Sequence, residues 1–380
     1  MTSNTFQRVD TLTLQQGDDP ISSVIDKNNN IMYIGSGSYP ARITKISLNP
    51  LRRINSIDLN PGEDYVWTMV IDTINNYLYC ATYNSPSKII KINLNTFTRV
   101  ADLTTSLNNI TTGIIDEITS FAYFADIDTG TIIQIDLISF TETINKLQTS
   151  ASQGIWSSGI DNLGNGYFGS AVPGSLNSVS DIVKVNLNIN ILTEETNLIL
   201  PSGEYAPSQI YIDNTTRIGY FVTYAEFPNM NKVIRINTSD LIKDVSIDGV
   251  VGGSYGGVID KNNQMLYLGG DGDLNSNVPG SIIKIDLATF QKVDIINLNS
   301  DEIYPDTAVI DNNGNIYFGI YPSIGYDPKI IKIGTSSITS NPECVNCDLT
   351  KNYCISGNCI PKDYVLYGGA GFIALLLLTR

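Results

Sequence analysis

The sequence predicts an all-β fold, a seven-bladed propeller of four-stranded blades closed by the chain's own first strand. Three observations carry the prediction. Seven aliphatic–Asp pairs recur 44 to 52 residues apart: Ile25–Asp26, Ile71–Asp72, Ile115–Asp116, Ile160–Asp161, Ile212–Asp213, Ile259–Asp260 and Ile310–Asp311. Each is followed six or seven residues later by a tyrosine (Tyr33, Tyr79, Tyr123, Tyr167, Tyr220, Tyr267, Tyr317), and then by a run such as Ile89-Ile-Lys-Ile92. Finally, Thr5-Phe-Gln-Arg-Val-Asp10 repeats the Thr289-Phe-Gln-Lys-Val-Asp294 that leads into the fourth run of the sixth copy, while the seventh copy, ending near Ile333, has no fourth run of its own.

The elements follow in order. The runs are short, rich in β-branched and aromatic residues, and separated by Asn, Gly, Asp, Ser and Pro, which is a strand signature with little helical periodicity before residue 335. Four such runs per period match a propeller blade, whereas solenoids of that period are helical. Each Asp precedes a tight turn such as Asp26-Lys-Asn-Asn-Asn30, where its carboxylate is expected to accept backbone N–H bonds rather than to bind metal. The tyrosine after the turn should pack between blades. A basic residue flanked by aliphatics recurs in six copies (Lys45, Lys91, Lys184, Arg235, Lys284, Lys332) and so reads as scaffold; a catalytic lysine would be unique. Cys80 falls in a strand and reads as a buried, small apolar residue. The missing fourth strand of the last blade is assigned to residues 5–14, which would close the ring and remove its open sheet edges.

Composition limits the chemistry. The 380 residues include 23 Lys and Arg, 38 Asp and Glu and no His, a net charge of −15. Without imidazole there is no Ser–His–Asp triad, Cys–His pair or His-bound zinc. So acidic a chain lacks the basic footprint that nucleic acid requires. A 42% hydrophobic and 16% charged composition is that of a chain able to build a core.

The unit at Asp161–Gly169, repeated at Asp311–Gly319, resembles the repeat of NHL- and YVTN-type seven-bladed propellers, as does the later Ile-x-Lys-Ile-Asp run. The resemblance covers about residues 5–335. It implies the fold and leaves function open, because such propellers host many unrelated roles.

Positions that differ among the blades point to a binding face. The loops that lead into the inner strands are acidic and carry tyrosines: Gly17-Asp-Asp-Pro20 with Asp19, Gly62-Glu-Asp-Tyr65 with Glu63, Asp64 and Tyr65, Gly203-Glu-Tyr205 with Glu204, and 301–306 with Glu302 and Tyr304. Trp67 and Trp156 stand five residues before their blade's Asp, and Tyr255 holds the matching place, so three large aromatics are expected at one mouth of the central channel. The loops at 170–181, 223–231, 270–280 and 320–328 belong to the same face and have the Tyr, Ser, Gly and Asn composition of recognition surfaces. Sugars stacking on the tryptophans, a basic partner protein or a divalent cation would suit this face. The same residues would also serve as a solvated rim that keeps the chain soluble, with the aromatics plugging the channel. No catalytic residue and no resident metal or cofactor is expected. Some propellers similar to this one hydrolyse lactones or esters with a central calcium, and Glu63, Glu204 and Glu302 are the residues available for such a site, although no spacing singles out a convergent set.

After Gly334 the character of the chain changes. Residues 336–342 form a Ser/Thr/Asn/Pro linker. Cys344, Cys347, Cys354 and Cys359 then fall within 16 residues of a Cys-rich segment at 343–361, spaced as two disulfides or as a four-thiolate zinc site, with disulfides favoured because a second C-x-x-C is absent. Asn352–Cys359 resembles the central part of an EGF-like module. Residues 364–379 carry no charge and read as a membrane anchor, about 24 Å long as a helix and so short for a span. Triplets at Asn109, Asn214 and Asn237 are glycosylation acceptors in form. Together these predict a propeller domain at 1–335 displayed at the cell surface and held to a membrane. The stretch at Met1 is not an apolar signal region, so extracellular display also implies a leader; tail-directed insertion would instead give a cytosolic scaffold.

Overall fold

A computed structural model describes residues 5–150, 154–171, 179–187, 190–226, 228–336, 352–355, 358–361, 368–369 and 372–373. The chain divides into two compact units, residues 7–334 and a second comprising Met1–Phe6 with Thr335–Arg380.

The larger unit is a seven-bladed propeller. Blades 1 to 6 are four-stranded antiparallel sheets in sequential order, at residues 20–58, 68–104, 110–148, 154–199, 207–251 and 257–297. Blade 7 takes three strands from residues 304–336 and its outer strand, Thr5–Thr13, from the chain's start. The strand lies beside Lys329–Ser336, as the repeated Thr-Phe-Gln motif predicts. Leu14 N–H continues the pairing to Pro328 O at 2.8 Å.

The turn aspartates do what their position predicts, in all seven blades. Asp26 accepts the N–H groups of Asn28 and Asn29, both at 3.1 Å, and Asp161 those of Leu163 and Asn165 at 2.9 and 2.8 Å. Asp72, Asp116, Asp213, Asp260 and Asp311 make equivalent bonds. The turn backbone is thereby satisfied without a sheet partner.

The core lies between blades. Tyr33 and Ile43 of blade 1 pack with Met69, Leu78 and Ile90 of blade 2, and comparable clusters join the later blades. Leu14, Met32, Ile46, Val309, Tyr317 and Ile330 knit blade 7 to blade 1. Hydroxyls finish the seams: Tyr123 donates to Leu187 O at 3.1 Å, Tyr167 to Thr238 O at 3.0 Å and Tyr317 to Leu48 O at 3.4 Å. The recurring basic residue is a second seam. Lys45 lies 5.8 Å from the Tyr33 ring centre and 5.5 Å from that of Phe97, Lys91 4.1 Å from Tyr77, and Arg235 4.8 Å from Phe290. Cys80 is fully buried, and burial pushes its thiol far above the usual range.

In the second unit, Asn352–Ile355 pairs with Asn358–Pro361 so that Cys354 stands opposite Cys359, and Gly368–Gly369 pairs with Phe372–Ile373. Cys344, Cys347 and most of the expected anchor at 364–379 lie outside the described residues. No helix among the described residues is long and apolar enough to cross a membrane.

Candidate functional site

The loop carboxylates expected to form an exposed rim are turned into the blades. Glu63 is 1% exposed and receives two bonds from Arg99 at 2.6 and 2.9 Å, with Lys88 at 3.2 Å. Glu302 is 0% exposed and is held by Arg8 at 2.9 and 2.6 Å. Glu204 takes Lys243 at 2.6 Å, and Asp18 takes Arg53 at 2.8 and 3.0 Å. Arg99, Arg8, Lys243 and Arg53 each come from the outer strand of the same blade, two residues after its Phe or Leu. Blades 3 and 4 reverse the polarity, with Glu142 and Glu194 on the outer strand accepting the loop N–H of Ser106 and Ser150, both at 2.7 Å. In blade 6 Lys292 instead bonds the carbonyl of Gly249, which lies in the outer strand of blade 5, Ile242–Val251, at 3.2 Å. Six of the seven blades thus share one clasp between leading loop and outer strand. The three glutamates are spent in it, in three different blades, and do not converge on a common point.

The channel mouth is built differently. Five inner strands break register at the same place, and the residue skipped is Ile21, Thr111, Trp156, Ser208 or Asp306. A bulge re-aims the extra side chain. Each of these stands five residues before its blade's turn Asp, as do Trp67 and Tyr255 in the other two blades. All seven line one cavity of about 280 Å³ on the axis, whose remaining wall is largely Ser and Thr hydroxyl.

Three of the seven are the aromatics expected there, and the structure brings them together. Tyr255 lies between the tryptophans, its ring centre 6.4 Å from Trp67 and 6.5 Å from Trp156, stacked at 20° on the latter. Tyr65 lies 6.4 Å from Trp67 and 4.6 Å from Tyr39, and a hydrogen bond to Tyr39 helps push its hydroxyl up to about 12. Tyr83 and Tyr224 extend the group, 6.3 Å from Trp67 and 5.5 Å from Tyr255. The indole N–H of Trp156 faces inward without a partner.

Carboxylates adjoin these rings. Asp306 occupies the bulge of blade 7, and Asp271 follows the second strand of blade 6, Met265–Gly270. Each has its Oδ1 closed to solvent and unbonded, as does the expected Asp19. Burial pushes Asp271 up to about 7; burial first, and then the charge of Asp271, holds Asp306 well above the carboxylate range. Burial and the charges of both raise Tyr304, which places that expected residue beside the pair. The remaining expected residues stand elsewhere: Tyr205 bonds Ser202 at 2.9 Å, and Asp64 takes Asn84 Oδ1 on its backbone N–H at 3.0 Å. Of the sequon asparagines, Asn109 is bonded to Asp128 at 2.9 Å, the Asn214 side chain accepts Asn162 N–H at 3.1 Å, and Asn237 is exposed. Glu63, Glu204 and Glu302, the residues enlisted for a calcium site, are each paired with a cation of their own blade. Sequence reading missed Asp306, though its five-residue offset from Asp311 is the signal that marked Trp67 and Trp156. Asp271 and Tyr224 carry no such signal, because loop length places them.

No family model matches this chain, and no curated protein matches it. Among solved structures it is similar to hydrazine synthase from Kuenenia stuttgartiensis, with a TM-score of 0.66 and 11% identity over 81% of this chain and 94% of that one. At that identity the likeness is one of fold. With 1572 solved chains matching, the shape alone selects no activity.

Proposed function

We propose that this propeller is a recognition module without bond-making chemistry, whose loop face binds a protein or glycan partner at the channel mouth. The row Trp67–Tyr255–Trp156 carries the reading. Rings of this size are ordinarily buried, yet these stay part-exposed around a polar cavity, Trp156 within the inner strand Gly154–Ile160 and Trp67 and Tyr255 one and two residues ahead of Thr68–Asp72 and Gly257–Asp260. Rigid aromatics at the centre of a surface, with little side-chain entropy to lose, are what binding hot spots and sugar platforms are made of. The uncharged stretch 364–379 supports display on a membrane, and the sequons and clustered cysteines support the extracellular side.

The test is the full chain in detergent against glycan and peptide microarrays, beside Trp67→Ala/Trp156→Ala. Saturable binding to at least one array is expected, falling roughly tenfold or more in the double variant with folding retained. Binding that survives the double change, or its absence from both arrays, overturns the reading. Carbonate extraction of membranes checks the anchor: the full chain should stay with the lipid and a chain ending at Lys362 should be released.

A further inference from the structure

The four carboxylates fully buried in the leading loops each meet a cation. Asp18 has Arg53, Glu63 has Arg99, Glu204 has Lys243 and Glu302 has Arg8. Asp271, after the second strand of blade 6, and Asp306, in the inner strand of blade 7, have no such cation, and the half-buried Asp19 shares their unbonded Oδ1. Each keeps an Oδ1 that is shut away from water and bonded to nothing, and the charge of Asp271 bears directly on Asp306. The titratable groups that face them are Tyr224, Tyr255, Tyr304, Tyr321 and Asp273, none of them basic. Two carboxylates pressed together away from water cost stability unless something pays back the lost hydration. Among the described residues no cation is bonded to either.

We infer that the Asp271–Asp306 pair, beside Tyr255, is a binding site for an organic cation, an ammonium or guanidinium group carried by a free small molecule or by a partner's Lys or Arg side chain. The inference rests on the reading of this mouth as a recognition surface and gives that surface its ligand chemistry. The bulge at Pro305–Thr307 puts Asp306 into the axial cavity, where Tyr255, Trp67 and Trp156 also stand. A cation drawn there by the carboxylates lies against aromatic faces, which add attraction that a neutral group does not feel. The cavity of about 280 Å³ suits one compact charged group rather than a sugar chain. A hard divalent metal is a poorer match: it asks for six or more oxygen ligands, and no cluster of three metal-ligating side chains occurs among the described residues. The elevated proton affinity of the pair is consistent with this site, since a bound cation would do what the proton does in its absence.

Isothermal titration of the full chain in detergent provides the test, with choline, methylguanidinium and a lysine-bearing peptide as cations, 3,3-dimethylbutan-1-ol as the uncharged isostere of choline, and calcium chloride as the metal. At least one organic cation should bind saturably, and if choline does, its isostere should bind roughly tenfold more weakly or worse. Tightest binding by the peptide identifies a protein side chain as the source, and tightest binding by choline or methylguanidinium a free molecule. Asp306→Asn and Asp271→Asn should each weaken the cation roughly tenfold or more, while the melting temperature at neutral pH holds or rises, because an amide cannot take on the charge that burial penalises. Affinity should also grow as the pH rises through about 7, where Asp271 gives up its proton. Equal binding of choline and its isostere, unchanged cation affinity in both Asn variants, calcium binding in place of organic cations, or no response to any cation at millimolar concentration would each overturn the inference. Array binding that needs Trp67 and Trp156 but ignores Asp306→Asn would sink the cation site and leave the recognition surface standing.

Discussion

Glu63 shows how one side chain is settled by the balance of opposing effects. Burial pushes its carboxyl up, but the bonds from Arg99, the Asn60 N–H and Lys88 outweigh that and hold it at about 2. Its folded value thus lies below the ordinary 4.5, so protons bind the unfolded chain more readily. The stabilisation is complete above about pH 4.5 and is lost as the pH falls toward about 2. Arg99→Ala removes the main partner and leaves a carboxylate that is 1% exposed, which should cost roughly 3 kcal/mol in urea unfolding at neutral pH. Glu63→Gln should flatten the acid limb of the stability curve between about pH 4.5 and about 2. A change below about 1 kcal/mol in Arg99→Ala, with the acid limb unaltered in Glu63→Gln, would refute the clasp. The sequence showed Glu63 beside Gly62 and Tyr65, the company of an exposed loop, and so it read as rim. Its partner stands 36 residues on, and Glu204's stands 39 on, each two places past the Phe or Leu that opens the outer strand. That offset is visible in the chain, but it means something only once the outer strand is known to lie under the loop.

The strands and turns were more legible, because each is decided locally. A carboxylate two to four residues before the N–H groups it accepts needs no distant partner, so the seven Asp turns could be read from spacing alone. Asp161→Ala deletes bonds to Leu163 N and Asn165 N, and also those to the Asn165 amide and the Tyr167 hydroxyl, both on Oδ2 at 2.8 and 2.9 Å. The expected loss is roughly 1–3 kcal/mol, read as a lower urea midpoint with an unchanged slope. A shift within about 0.5 kcal/mol would mean that water replaces the carboxylate without penalty. The bulges were half legible. The five-residue offset was noticed where the residue was aromatic and passed over at Ile21, Thr111, Ser208 and Asp306, because a small or charged residue before a strand attracts no attention by type. Backbone register, which a sequence does not display, is what makes the seven equivalent.

At the scale of the molecule, one feature converts seven similar sheets into a closed ring. Blade 7 borrows its outer strand from Thr5–Thr13, and the join is more than sheet hydrogen bonding. Arg8 neutralises Glu302, Leu14 enters the cluster that contains Tyr317 and Ile330, and Gln16 reaches Asp327 at 2.8 Å. The chain's two ends are thereby tied across a sequence separation of about 300 residues, so every blade boundary depends on this one. Deleting residues 1–14 should do three things at once. It uncovers the edge of Lys329–Ser336, strips the apolar cover from the blade 7 to blade 1 seam, and leaves Glu302 with Lys329, at 3.2 Å, as its cation in place of two. Removing the partner of a buried charge alone costs roughly 3–5 kcal/mol, and an open sheet edge invites pairing with another chain. Calorimetry should therefore show a markedly lower melting temperature for the truncated protein, and light scattering should show self-association. Arg8→Ala, which keeps the strand, should lie between the truncated and intact proteins. If the truncated chain melts where the intact one does and stays monodisperse, the ring is held by its blade-to-blade cores alone and the borrowed strand is decoration.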